Sequence, residues 1–242
     1  MAAAAAPLRG ADDFEALVFQ DHNQKLPYRL CKPLGYDSQK HYPLVLFLHG
    51  AGERGTDNLV QLKHVVRIFA TKENQERYPC FVVAPQCPAS ARWVEVNWGA
   101  DSHRQPKQAS QPMALVVKLL AELENKYSVD SKRRYVIGLS MGGFGTWDAI
   151  SRYPDLFAAA IPICGGGDET RAAAIAQIPV WVFHGGSDTT VKTIRSRNMV
   201  AALRKAGGQP KYTEYPGVGH GCWMRASQER ELLPWLFAQK RP

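Results

Sequence analysis

Short, nearly unbroken apolar runs alternate along this chain with stretches of helical periodicity. That alternation constrains the fold more than any other feature. YPLVLFLHG (42–50), CFVVAPQ (80–86), RRYVIGLS (133–140), FAAAIPICGG (157–166) and IPVWVFHGG (178–186) lack the polar alternation of a half-exposed strand. Strands apolar on both sides must be buried on both faces, which a parallel sheet achieves by laying its crossover helices over each face. Helices are expected at 111–127, where Val116, Leu119, Leu120 and Leu123 share a face, and at 141–152. Two more are expected at 190–206, with Val191, Ile194 and Leu203 on one stripe and Arg195 and Arg204 turned away, and at 223–239. EALVFQD (15–21) and LPYRLCKP (26–33) predict an opening hairpin, and KYTEYPG (211–217) a last edge strand. The expected class is α/β, a mostly parallel sheet with helices on both faces. No repeat or linker divides it, so 1–242 is expected to be a single domain with a flexible tail over residues 1–10.

The gross numbers remove other classes. A chain of 242 residues has room for a large core, and 45% hydrophobic with 21% charged residues is ordinary globular usage. No apolar run approaches the roughly 18 residues of a membrane span, so no membrane partner is expected. The opening Met-Ala-Ala-Ala-Ala-Ala-Pro has neither a basic region nor a bulky apolar stretch. It makes a poor secretory signal, and a cytoplasmic location is expected. Five cysteines, an odd number without a C-x-x-C pair, argue against a disulfide framework and a zinc site. No metal or cofactor is expected. The net charge of +8 invites nucleic acid, but the basic residues are scattered and no aromatic platform interleaves them. A solvated basic surface is expected instead, with no nucleic-acid partner and no oligomeric state specified.

In a parallel sheet, ligands bind outside the carboxyl ends of the strands. Three expected strands end in HGAGERG, GLSMGG and HGGSDTT. Gly138-Leu139-Ser140-Met141-Gly142 fits G-x-S-x-G between a strand and a helix, the setting in which a serine is held on a strained turn as a nucleophile. A serine hydroxyl needs a general base. His220, in the glycine-flanked loop PGVGHGCW after the last strand, can swing over the sheet; His49 and His184 lie at the ends of strands. A carboxylate must hold the base. Asp188, directly after a strand, is the candidate, with a second possible role as a helix cap; Asp168 in CGGGDET is the alternative. Acyl transfer also needs amide donors for the oxyanion. Met141, after the nucleophile, is one, and Ala51 in the small-residue loop 49–55 the other, with Gly50 and Gly52 beside it. Arg54 pairs with Glu53, holds that loop, or meets an anionic substrate group.

With these residues in place, the chain resembles the α/β-hydrolase superfamily over nearly its whole length, including its order Ser, Asp, His. HGAGERGTDN, PQCP…W, GLSMGGFGTW…YPDLFAAAIPICGG, HGGSDTTV and GVGHGCW resemble the small serine carboxylesterases of the predicted-peptidase branch. These are similar to phospholipase/carboxylesterase, dienelactone-hydrolase-like, and feruloyl- and polyhydroxybutyrate-esterase-like enzymes. The resemblance implies an α/β-hydrolase fold with an eight-stranded sheet; little of the chain is left for a lid, so little or no lid is expected. The resemblance also implies metal-free ester hydrolysis by Ser140, His220 and Asp188. HGAGERG departs from the HGLGD form of acyl-protein thioesterase relatives, and a serine nucleophile departs from dienelactone chemistry. The expected partner is a small-molecule ester, of small to medium size and soluble. Trp93, Trp98 and Trp223 are expected to line the pocket. Peptide or thioester hydrolysis on the same fold, and a hydrolase-like binding protein, are the alternatives.

Overall fold

The doubly buried runs become the middle of one sheet. In the computed structural model, which describes residues 13–242, the strands are β1 (Glu15–Asp21), β2 (Gln24–Cys31), β3 (Tyr42–Leu48), β4 (Phe81–Pro85), β5 (Val129–Leu139), β6 (Ala159–Ile163), β7 (Trp181–Gly185) and β8 (Lys211–Tyr215). Their order is β1-β2-β4-β3-β5-β6-β7-β8. The tail expected over 1–10 lies outside the described residues. β1 and β2 form an antiparallel hairpin, with Asp21 opposite Gln24 and His22 at φ 51° in the turn, and β2 runs antiparallel to β4. From β4 onward every pairing is parallel.

Every residue of β3 and β4 is buried, and their alternation feeds two cores. Leu44, Leu46 and Leu48 join Val83 and Val136 under helix α2 (Gln111–Lys126) and helix α3 (Met141–Arg152), through Val116, Leu120, Trp147 and Ile150. Val45 and Phe47 join Ile137 and Phe183 on the other face, against Val66, Phe69, Leu232 and Leu236. Successive strand side chains point to opposite faces, so one continuous apolar run serves both layers.

The helices differ from expectation in four places. Between β3 and β4 lie 3₁₀ turns and a short helix α1 (Lys72–Arg77), and α4 (Ala172–Ile175) follows β6; none is long enough to carry a periodic signal. The stretch expected as one helix at 223–239 is two, α6 (Trp223–Ala226) and α7 (Leu232–Phe237). Pro234 forces the break. It lacks an N–H and clashes with the carbonyl four residues back, so it fits only in a first turn, here that of α7. Helix α5 (Ile194–Lys205) starts four residues later than 190. Its buried stripe is Arg195, Ser196, Met199, Val200 and Leu203. Ile194, expected inside, is 40% exposed, and Arg195, expected outside, is fully buried. No helix among the described residues is long and apolar enough to cross a membrane. All five cysteines are buried.

Candidate active site

Ser140 sits between β5 and α3 at φ 53°, ψ −116°, a strained conformation for a residue with a side chain. Contacts to neighbouring backbones on both sides demand glycine around it. A Cβ at Gly142 would stand 1.8 Å from the Leu48 carbonyl oxygen, and one at Gly143 2.5 Å from that of Ile163. Without these Cβ atoms the first turn of α3 drops between the ends of β3 and β6. The Ser140 amide then donates to the Ile163 carbonyl at 2.9 Å, which fixes the turn.

His220 arrives from the loop after β8. Gly185, at the end of β7, has the Gly219 carbonyl 2.2 Å from where its Cβ would be, so the loop can close onto the strand end. His220 Nε2 lies 2.9 Å from Ser140 Oγ, and His220 Nδ1 lies 2.7 Å from Asp188 Oδ2. Asp188 Oδ1 accepts from the Thr190 and Val191 amides at 2.8 and 2.9 Å. Burial works to raise the Asp188 carboxyl, but hydrogen bonds from His184, His220 and the Val191 amide outweigh it and hold the group well below the usual carboxylate range. The carboxylate is therefore a fixed negative charge beneath the imidazole, and it favours the Nδ1–H tautomer that leaves Nε2 free to accept a proton.

Facing Ser140 is the turn Ala51–Glu53. The Ala51 and Met141 amides occupy the first position of their respective helical turns, so neither has an acceptor inside its own helix. His49 sets the direction of the Ala51 amide. Its Nε2 accepts from the Cys87 amide at 2.9 Å, so the proton is on Nδ1, which donates to the Gly50 carbonyl at 2.6 Å. In a trans peptide the carbonyl and the following N–H point opposite ways. Holding Gly50 C=O inward therefore turns Ala51 N–H outward. Burial pushes the His49 imidazole down to about 4, so it stays neutral in this duty.

These groups floor a cleft of about 550 Å³. One wall is Arg92, Asn97 and Trp98 from the segment between β4 and α2; the other is Thr190, Val191 and Trp223. Trp223 meets the His220 ring edge-on, with centroids 5.3 Å apart.

The model of the Esterase family matches residues 20–166, more than half of the chain. The chain belongs to the Esterase family. Its coordinates superpose on the crystal structure of a thermostable esterase with a TM-score of 0.89, at 42% identity over 96% of this chain and 64% of that one. A probable carboxylesterase of Oryza sativa subsp. japonica is 23% identical over 228 residues, 82% of this chain and 84% of the rice protein. An uncharacterized secreted protein of Arthroderma benhamiae is 33% identical over 115 residues, 35% of this chain. The chain spans 64% of the length of the thermostable esterase and 12% of that secreted protein.

Within this esterase-family chain, Ser140, His220, Asp188, Ala51 and Met141 are brought together, and Trp98 and Trp223 line the cleft. Two expected pocket residues do not. Trp93 is fully buried behind the wall and donates its indole N–H to the His49 carbonyl at 3.0 Å. That bond ties it to the start of the loop 49–55. Arg54 turns back onto its own loop, donating to the Ala51 carbonyl at 3.0 Å and reaching Ala91 at 3.4 Å. The guanidinium in the cleft is that of Arg92, 4.3 Å over the Trp98 ring. Asp168, the alternative acid, is engaged elsewhere, accepting from the Gln105 amide and Thr170.

Sequence reasoning passed over Arg92, and saw His184 only as a strand histidine. Arg92 lies in a segment without periodicity, and the one available signal was its i,i+1 neighbour Trp93. Among the described residues, the group whose donor atoms could close on a metal is Cys164, Asp188 and His220, all within 4.8 Å of one another. Two of these are hydrogen-bonded together, and burial raises the Cys164 thiol well above its ordinary value. Asp188 and His220 spend these atoms on each other, and His220 also on Ser140.

Proposed function

We propose that this chain is a serine carboxylic-ester hydrolase that turns over small to medium soluble esters through an acyl-enzyme. The observation that carries the reading is the unbroken chain Ser140 Oγ–His220 Nε2–His220 Nδ1–Asp188 Oδ2, at 2.9 and 2.7 Å, on the floor of a cleft. His220 Nε2 takes the Ser140 proton as Oγ attacks the ester carbonyl. The carbonyl oxygen becomes an oxyanion between the Ala51 and Met141 amides, donors that need no reorganisation as charge develops. Collapse breaks the bond to the alcohol, which leaves with the proton from Nε2. Water then gives a proton to Nε2 and attacks the acyl carbon. The second collapse returns that proton to Ser140 and frees the acid. Asp188 keeps its negative charge throughout and stabilises the imidazolium. A 550 Å³ cleft with Trp98 and Trp223 in its walls suits a modest acyl or alcohol group.

Ser140→Ala should lower kcat for p-nitrophenyl esters by roughly four to six orders of magnitude while the protein stays folded. A fluorophosphonate probe should label the parent and not the variant. Turnover surviving in Ser140→Ala would end this reading.

A further inference from the structure

Asp188 serves two histidines. Beside the His220 contact, its Oδ2 lies 3.2 Å from His184 Nε2, and the side chains of His184 and Asp188 are both completely buried. His184 is on β7, four residues before the carboxylate. Its Nε2 also lies 2.9 Å from the Val191 carbonyl, and its Nδ1 lies 2.7 Å from Ser196 Oγ on α5. The proton count places a hydrogen on Nε2. A carbonyl and an ionised carboxylate only accept, so Nε2 carries a hydrogen and shares it between Val191 and Asp188. Nδ1 faces a hydroxyl that has a second acceptor, the Gly165 carbonyl at 3.3 Å. The ring is therefore pinned at both ends, and one end is pinned to the group that holds the base.

We propose that His184 is a positioning residue for the reaction: its Nε2–H shares Asp188 Oδ2 with His220 and so sets how tightly the carboxylate grips the imidazolium. This rests on the esterase reading above. Oδ1 is already saturated by two amides, so Oδ2 alone meets His220, and any second donor to that oxygen competes with Nδ1–H directly. The competition keeps the grip on the imidazolium moderate, which lets His220 return the proton to the leaving alcohol. The other charged or titratable groups around His184 are few. Glu214 pairs with it across the β7–β8 register but is engaged by Arg197 at 2.6 Å and by Tyr212. Beyond Asp188, the Cys164 thiol stands beside His220.

Two substitutions split the ring's functions. In His184→Gln the amide N–H reaches the place of Nε2 and keeps the Asp188 contact; in His184→Asn it reaches only the place of Nδ1 and keeps Ser196. His184→Phe keeps neither. Relieved of a competing donor, the carboxylate holds the imidazolium harder. The acid limb of kcat/KM against pH should then move upward by about half a unit in His184→Asn and His184→Phe. In the same variants kcat should fall roughly tenfold with KM little changed. His184→Gln should keep both the limb and kcat of the parent. Fluorophosphonate titration of Ser140 counts competent sites, so the rates refer to folded enzyme. An acid limb unmoved in His184→Asn, or equal behaviour of His184→Asn and His184→Gln, would reduce His184 to a packing residue and overturn the proposal. Activity in a parallel Ser140→Ala sample would instead overturn the esterase reading itself.

Discussion

At the scale of single residues, the strongest demand the chain makes is for absent side chains. Gly142 has the Leu48 carbonyl where its Cβ would go, 1.8 Å away, and backbone cannot step aside as a flexible side chain can. Gly142→Ala should therefore cost several kcal/mol, on the order of the largest single-residue effects. A urea titration should find the midpoint lowered, and whatever protein remains folded should be poorly labelled by a fluorophosphonate. Gly52, which has nothing within 4 Å of that position, is the control; Gly52→Ala should leave stability within about 0.5 kcal/mol. The serine, histidine and aspartate were legible in the sequence because each sits in a short glycine-rich motif after a strand, the serine and aspartate after doubly buried ones and the histidine after the edge strand β8. Trp93 was misplaced, and Arg54 was left open among three roles of which loop-holding is the one seen, because nothing local says which way a side chain turns in an aperiodic loop. The Ala51 carbonyl claimed one, and the His49 carbonyl the other.

At the scale of elements, strands were read more faithfully than helices. A strand buried on both faces announces itself by composition, whereas the phase of a helix depends on where it begins. α5 shows the consequence. Asp188 takes the Thr190 and Val191 amides into a turn, delays the helix to Ile194, and rotates Arg195 into the interior. The buried guanidinium then ties down the segment that carries the Trp98 wall. It donates to the Ala100 carbonyl at 2.8 Å, pairs with His103, and lies 5.2 Å over the Phe144 ring. Arg195→Met fits the apolar surroundings but leaves the Ala100 carbonyl without its donor. It should cost roughly 1–3 kcal/mol and raise KM for p-nitrophenyl esters more than it lowers kcat, because the wall loosens while the serine and its base stay in place. Steady-state kinetics beside a urea titration would check both; an unchanged KM would detach Arg195 from the cleft.

At the scale of the whole molecule, buried neutral histidines tie stability to pH. Burial pushes His49 down to about 4 from an ordinary 6.5, and burial together with Arg195 does the same to His103. Above pH 6.5 neither group binds a proton in either state, and their contribution is whole. Between 6.5 and about 4 the unfolded chain binds protons that the folded chain refuses, so stability falls as pH falls, at up to about 1.4 kcal/mol per pH unit for each group. Asp188 adds the same sign further down, its contribution being lost as pH falls through its depressed value. Unfolding free energies from urea titrations should be flat from pH 7 to 8 and decline steadily from 6.5 to 4.5; a flat profile across that range would mean these imidazoles are solvated. The sequence by itself determined the layering, since continuous apolar runs have no stable home except between two helical layers, and it determined which strand ends hold the serine and the aspartate that meet His220, since glycine-rich motifs interrupt the chain there. Only the tertiary structure decided which side chains face the cleft, that His49 aims the Ala51 amide, and that two histidines share one carboxylate. Those outcomes depend on contacts between residues far apart in the chain, whose relative directions are set by packing and not by any neighbour in sequence.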